Sequence, residues 1–355
     1  MNFLQSLQQR GQSVWLNEFE RGWITSGQLQ HYIDDDGLRG VLSNFQSLQA
    51  AIQGQEYDRD FSTLARQGDK LSTRQYYDYL VKRDLQLAAD LLKQTYSQTY
   101  GRDGYVQVDL PPHSLLQAEA AIAEAQKIWQ SVGWCNLMLR IPATQIMLPV
   151  IERLISDHIN VNATFVFSQT TYEQVFDAYL RGLETLIQQG ESVSDVACFT
   201  SFSMGRFDAV VHLLTPSSLE TTSFGVVQAN LLYQHYQDVY QSDRWKTLYK
   251  QANPLRIVWD CTDLHAQDVW RYAQALAVSK TAIMLSPSTL ETYGEVSLLP
   301  TSLIETLGET EQMESLLPTE ISLDEIANRL VKEEAARSMK DFEQLLNTIE
   351  QKRTA

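Results

Sequence analysis

Apolar residues along this chain follow two rhythms. The first is a set of short runs, rich in β-branched and aromatic residues and bounded by Gly, Pro, Asn, Asp or Ser. They are SVWLNEF (13–19), GVLSN (40–44), GYVQVDL (104–110), NLMLRIP (136–142), INVNATFVF (159–167), VACFTSFSM (196–204), LRIVWDC (255–261) and KTAIMLSP (280–287). Runs of this kind predict strands. The second rhythm is helical. AAIAEAQKIWQSV (120–132), TTYEQVFDAYLRGLETLIQQG (170–190) and VVQANLLYQHYQDVYQS (226–242) have that spacing, and the Gly ending the second suits a helix C-cap.

Eight strands separated mostly by helices imply a parallel sheet, because parallel neighbours need crossover connections. Closure into a (β/α)8 TIM barrel pairs all eight without leaving an edge. An open doubly wound sheet is the other architecture. It usually carries a Gly-rich first turn, and neither G-x-G-x-x-G nor G-x-x-x-x-G-K-[ST] occurs here.

The expectation is one barrel domain over 1–355, with additions. Residues 45–103 read as a helical excursion between the second and third strands. Residues 288–335 are acidic, broken by Pro300 and Pro318, and read as loop and short helices. A C-terminal helix is expected at 336–353. Phe342, Leu345, Leu346 and Ile349 stand at i, i+3, i+4 and i+7, which gives that helix one apolar face to pack on the barrel.

Composition narrows the classes. Of 355 residues 44% are hydrophobic and 20% charged, which fits a packed globular chain and not a disordered one. Lys and Arg number 28 against 44 Asp and Glu, a net charge of −16. That balance argues against nucleic acid, which needs a basic footprint, and against anionic membrane surfaces. The three cysteines, Cys135, Cys198 and Cys261, are odd in number and far apart, as expected of reduced thiols. The first twelve residues lack the apolar core of a signal peptide, so the expected location is cytoplasmic. The six histidines form no zinc-spaced cluster, and neither a metal nor another cofactor is expected. Cys198 and Cys261 read as small core residues and not as nucleophiles.

In a barrel of parallel strands the chemistry sits at the C-terminal strand ends. Read in order, those ends carry Asn17, Asn44, Asp109, Arg140, Asn162 with Thr164, Ser201 and Cys261. Polar residues inside apolar strands need partners. They mark either a pocket or a hydrogen-bonded core.

The segments QSVWLNEF, TSGQL, DGLRGVLSN, AADLL, GRDGYVQVDL, NLMLRIPAT, INVNATFVFS, SFSMGR (201–206) and RWKTLYKQ, with the closing helix, stand in this order along nearly the whole chain. On them the chain resembles transaldolases, most closely the long bacterial and plant branch. The resemblance implies a cytoplasmic (β/α)8 barrel of the pentose phosphate pathway. Its members move a dihydroxyacetone unit between sugar phosphates through a Schiff base on a lysine. It further implies that Asn44, Asn162, Thr164, Ser201 and Arg206 position substrate hydroxyls, a catalytic water and a phosphate.

Three catalytic positions depart from that pattern. The imine-forming lysine is replaced by Arg140, whose guanidinium stays protonated and offers no free lone pair. The proton-transferring carboxylate after VWL is replaced by Asn17, an amide that does not titrate near neutrality. The glutamate of the third strand is replaced by the shorter Asp109. No lysine stands at the C-terminal end of a predicted strand, and Lys280 precedes the eighth. At the seventh strand relatives have a serine at the Cys261 position, followed by a basic residue for the phosphate. Here the run is WDCTDLH, with Asp260, Asp263 and the candidate base His265. Arg140 is expected to pair with Asp109, Asp260 or Asp263.

Three functions remain open on the sequence. One is a protein without transaldolase activity, serving as a sugar-phosphate-binding sensor or an interaction or regulatory protein. Another is an enzyme of changed, non-Schiff-base chemistry. The third is an ordinary transaldolase. The acidic stretch 305–335 reads as a solvated surface, with a basic protein partner as the alternative.

Overall fold

The computed structural model describes residues 3–66, 71–214, 224–248, 252–293 and 323–354. Its centre is a closed barrel of eight parallel strands in sequence order. They are β1 (Ser13–Leu16), β2 (Leu38–Ser43), β3 (Tyr105–Asp109), β4 (Leu137–Pro142), β5 (Val161–Thr164), β6 (Cys198–Ser203), β7 (Arg256–Asp260) and β8 (Ala282–Leu285). Each falls inside or across a predicted run. Pairing of β1 with β8 closes the ring, with Ser13 opposite Ala282 and Leu16 opposite Leu285.

Alternation along the strands separates two cores. Trp15, Leu42, Tyr105, Met138, Ala197, Phe199, Val258, Ala282 and Met284 fill the barrel interior. The residues between them pack against the surrounding helices; Val14, Leu16, Val106, Val108, Cys198, Ile257, Trp259 and Cys261 belong to that outer core. Three aromatic rings fill the lower interior. Trp15 lies 5.3 Å from Phe199 and 6.2 Å from Tyr105 between ring centroids. The indole needs a glycine opposite it, since a Cβ at Gly40 would lie 2.5 Å from the Trp15 ring.

The predicted helices are present at Ala118–Val132, Gln169–Gln189 and Phe224–Gln241. Gly190 ends the second in the left-handed conformation at φ 75° and donates its N–H to the Ile187 carbonyl. The excursion after β2 folds as helices Phe45–Gln53, Asp58–Ala65 and Thr73–Gln98. A buried ion cluster ties it down. Arg21 pairs with both Asp60 and Asp84, and the Tyr57 hydroxyl donates to Asp84 at 2.6 Å.

The C-terminal helix runs over Leu323–Thr354, beginning well before the expected 336. The added residues, LDEIANRLVKEEA, contain no Pro or Gly and consist mainly of good helix formers, so nothing stops the helix there. Ile326 and Leu330 are buried along it. Phe342, Leu345 and Ile349 form the expected buried face, with Leu346 partly buried beside them. The Phe342 ring sits 5.1 Å from both Phe45 and Tyr77. Of the acidic region, 287–293 is a short helix, and 294–322 lies outside the described residues. Among the described residues no helix is long and apolar enough to cross a membrane.

Candidate functional site at the barrel mouth

The C-terminal ends of the strands enclose a cavity of about 250 Å³. Asn17, Asn44, Asp109, Arg140, Thr164, Ser201 and Asp260 all line it. The strands deliver them because each stands at the inward parity; five follow an apolar interior residue by two, while Asp109 and Thr164 follow the polar Gln107 and Asn162.

Arg140 dominates the floor. It projects from β4 into the barrel with only 11% of its side chain exposed. Its Nε donates to Asp109 Oδ1 at 3.0 Å, across the β3–β4 register that sets the two side by side. Of the three acids expected as partners, Asp109 makes the contact. Among the described residues no lysine lines the cavity.

Asn162 lies just beneath, fully buried. Its amide donates to Gln107 Oε1 and Ser201 Oγ, both at 2.9 Å. The Ser201 hydroxyl donates back to Asn162 Oδ1 at 3.1 Å. Asn162 is therefore a support that orients Ser201, and Ser201 faces the space above. Asn44 is partly committed to the fold. It caps the helix Phe45–Gln53 by accepting from the Ser47 N–H at 2.8 Å, and its amide donates to the Asn17 carbonyl at 2.8 Å. The Asn17 side-chain Oδ1 is buried without a hydrogen-bond partner among the described residues. Phe165, at the rim, holds a left-handed backbone at φ 61°, uncommon for a non-glycine residue.

Cys261, His265 and Arg206, expected in the site, do not line the cavity. Cys261 is fully buried in the outer core, because Asp260 takes the inward position and the next residue must face out. Burial, with Asp260 and Asp263 nearby, pushes its thiol well above the ordinary range. His265 is exposed at the start of the helix Ala266–Ala275 and does not line the cavity. Arg206 stands behind the wall, 3.2 Å from Asp263 and 3.2 Å from Glu334.

Glu334 belongs to a set the sequence reading missed. Glu334, Arg337, Ser338 and Asp341 of the C-terminal helix also line the cavity. They stand at i, i+3, i+4 and i+7, the same periodicity that revealed the apolar face further along, but polar. Arg337 lies 3.5 Å from Glu334 and 3.6 Å from Asp263. The Gln46 amide donates to Asp341 at 3.0 Å and fastens the helix to the β2 end of the barrel. The lining thus brings two guanidiniums, Arg140 and Arg337, against five carboxyls, Asp109, Asp260, Asp263, Glu334 and Asp341. Crowded carboxyls hold their protons more tightly. Burial, then Asp263, raises Asp260, with Arg140 opposing. Burial pushes Glu334 up to about 7, with Asp263 and Asp260 adding to the shift and Arg206 opposing it. Among the described residues no group of His, Cys, Asp and Glu is placed to hold a metal ion.

The family described as Transaldolase/Fructose-6-phosphate aldolase matches residues 14–349. The chain belongs to this family. Transaldolase of Trichodesmium erythraeum is 31% identical, over 99% of this chain and 97% of its own length. Transaldolase 2 of Nostoc sp. is 30% identical over 99% and 98%. Transaldolase 2 of Streptomyces coelicolor is 32% identical over 84% and 80%. The barrel and its polar mouth are those of a transaldolase-like protein.

The Glu334 carboxyl makes a pH prediction. Its folded-state pKa of about 7 lies above the ordinary 4.5, so the folded state binds this proton more tightly than the unfolded chain. The resulting stabilisation is complete below about 4.5 and is lost as pH rises through about 7. Glu334→Gln mimics the protonated form at every pH. Melting temperatures of the two proteins should therefore diverge between pH 5 and 7.5, the variant gaining on the parent as pH rises. Parallel curves would show that Glu334 titrates normally.

Proposed function

We propose that this transaldolase-family protein does not perform Schiff-base aldol transfer, and that its barrel mouth is a sugar-phosphate-responsive pocket with a sensor or regulatory role. The observation that carries the proposal is Arg140 at the end of β4, paired with Asp109 in a cavity with no lysine among its described lining residues. Imine formation needs an amine that can lose its proton, and a guanidinium with pKa above about 12 does not. Asn17 adds a second obstacle, since an amide cannot shuttle the proton of an aldol step.

The remaining groups suit binding. Asn17 Oδ1 is an unused acceptor for a ligand hydroxyl, and Ser201 is pre-oriented by Asn162. A phosphate has less freedom. Arg206 and Arg337 share Asp263 and Glu334, so an incoming anion competes with carboxylates already in place. Displacing Glu334 would loosen one contact of the C-terminal helix. Occupancy of the pocket is thereby coupled to that helix, which gives binding a readout on the protein surface.

In a thermal-shift titration fructose 6-phosphate should raise the melting temperature, by the equivalent of about 2.7 kcal/mol at 100-fold excess over its Kd. Glu334→Gln should enlarge the shift, because the competing charge is gone. No shift at millimolar ligand would remove the sensor and leave a scaffold.

One observation favours a second reading, an enzyme of non-covalent chemistry. Asp260, with its raised pKa, and Arg140 line the same cavity. A carboxyl that holds its proton more tightly than usual can donate it while a guanidinium steadies a carbonyl oxygen. Turnover of a sugar phosphate or related metabolite that falls at least about 100-fold in Arg140→Ala would establish this. A broad metabolite screen with no turnover would dismiss it.

A further inference from the structure

The opposite end of the barrel holds a second, larger cavity of about 570 Å³. It opens beside the N-terminal strand ends, where Ala197 precedes β6, Arg256 begins β7 and Lys280 precedes β8. Catalysis in parallel barrels is built on the other face, so the transaldolase-like site gives this cavity no role. Its volume falls in the roughly 300–1,000 Å³ range of small-molecule sites.

One wall is aromatic. The helix Phe224–Gln241 presents Tyr233, Tyr236 and Tyr240 at spacings of three and four, on a single face. Tyr233 and Tyr236 are stacked within 9° of parallel, with centroids 5.7 Å apart, and Tyr240 follows 4.4 Å from Tyr236. The Tyr233 hydroxyl donates to the Ser279 carbonyl at 3.2 Å, and that of Tyr240 to the Leu255 carbonyl at 2.9 Å. The rings are therefore held in place before any ligand arrives. Phe199, from the barrel interior, also lines the cavity.

The other wall is cationic. The charged side chains around the cavity are Arg102, Arg256 and Lys280, and no carboxylate is among the described lining residues. Arg256 is buried and bridges to Asp103 at 2.7 Å and to Ser13 Oγ at 2.6 Å. Its Nε is also buried, and has no hydrogen-bond partner among the described residues. Arg102 and Lys280 are exposed, and neither pairs with a carboxylate among the described residues. Lys280 stands at φ 65°, where glycine would sit with less strain, so the chain carries this side chain at a backbone position that favours none. On a chain of net charge −16, two such cations beside a tyrosine wall form a local exception.

We propose that this lower cavity binds a small planar aromatic anion. The ring would lie against Tyr233, Tyr236 and Tyr240, and the charged group would meet Arg102 and Lys280. Stacking on tyrosine rewards any flat π-system, while the paired cations reward a carboxylate or phosphate. Nucleoside monophosphates and aromatic carboxylic acids share this chemistry.

Isothermal titration of the full chain separates the sources. The probes are AMP and 1-naphthoate, their uncharged counterparts adenosine and 1-naphthamide, and inorganic phosphate alone. At least one aromatic anion should bind one-to-one, about tenfold or more tighter than its neutral counterpart and than phosphate. Tighter AMP assigns a nucleotide, and tighter 1-naphthoate an aromatic acid. The double substitution Arg102→Glu and Lys280→Glu, on exposed side chains, should weaken that binding about tenfold or more, while Arg153→Glu on a remote helix should not. If the double variant melts early, Lys280→Gly removes one cation, relaxes the backbone, and should still weaken binding. The proposal is overturned if neither aromatic anion binds at millimolar concentration, if phosphate alone binds as tightly, or if the charge changes leave binding intact.

Discussion

A guanidinium sealed inside a barrel must be neutralised where it stands, because it cannot shed its proton. Arg140 imposes that constraint on the whole mouth. It stands at the end of β4 with little exposure, and Asp109 on the neighbouring strand answers it at 3.0 Å. A pair of this kind contributes little net stability, since desolvation offsets attraction. Removing one partner is another matter, for it strands a buried charge at a cost of about 3–5 kcal/mol. Asp109 is thereby committed to Arg140. Beyond it, Asp260, Asp263 and Glu334 crowd round Arg140, Arg206 and Arg337, and burial, reinforced by the neighbouring carboxylates, raises Asp260 and Glu334.

The two ends of the barrel have opposite electrostatics. Charged groups lining the upper cavity are mostly acids, five against two guanidiniums, while those among the described residues lining the lower one are all basic and stand beside tyrosines. A net charge of −16 argues against nucleic acid and anionic membrane surfaces. In the folded protein it has a location: it reaches the mouth, where family resemblance implies a phosphate. At that mouth Arg206 and Arg337 are engaged by Asp263 and Glu334, whereas Arg102 and Lys280 beside the lower cavity have no carboxylate partner among the described residues.

All eight strands could be found in the sequence. Strands covered by helices on one side and by the barrel core on the other must be apolar at nearly every position, so they stand out as runs. The polar residues interrupting them marked the mouth for the same reason. Cys261 shows the limit. Strand parity decides whether a residue faces in or out, and a polar ring drawn through the last residue of the run takes in Cys261; counting by twos from Val258 puts Asp260 inside and Cys261 out. Glu334, Arg337, Ser338 and Asp341 were hidden differently. A polar stripe on a helix looks like a solvated face until the helix is docked, and only the three-dimensional packing of Phe342 against Phe45 and Tyr77 turns that stripe inward. The lower cavity gave no sequence signal, because its tyrosines and cations come from separate segments, at 102, 233–240, 256 and 280.

The central claim is that no amine at the mouth can form an imine. Borohydride reduction in the presence of fructose 6-phosphate, followed by mass spectrometry of the intact chain, tests it directly, because a Schiff base becomes a permanent adduct on reduction. The expected result is an unmodified mass for the native protein under conditions that trap a transaldolase. A covalent sugar adduct on any lysine would contradict the account, and its position would identify the amine that replaces the one missing at Arg140.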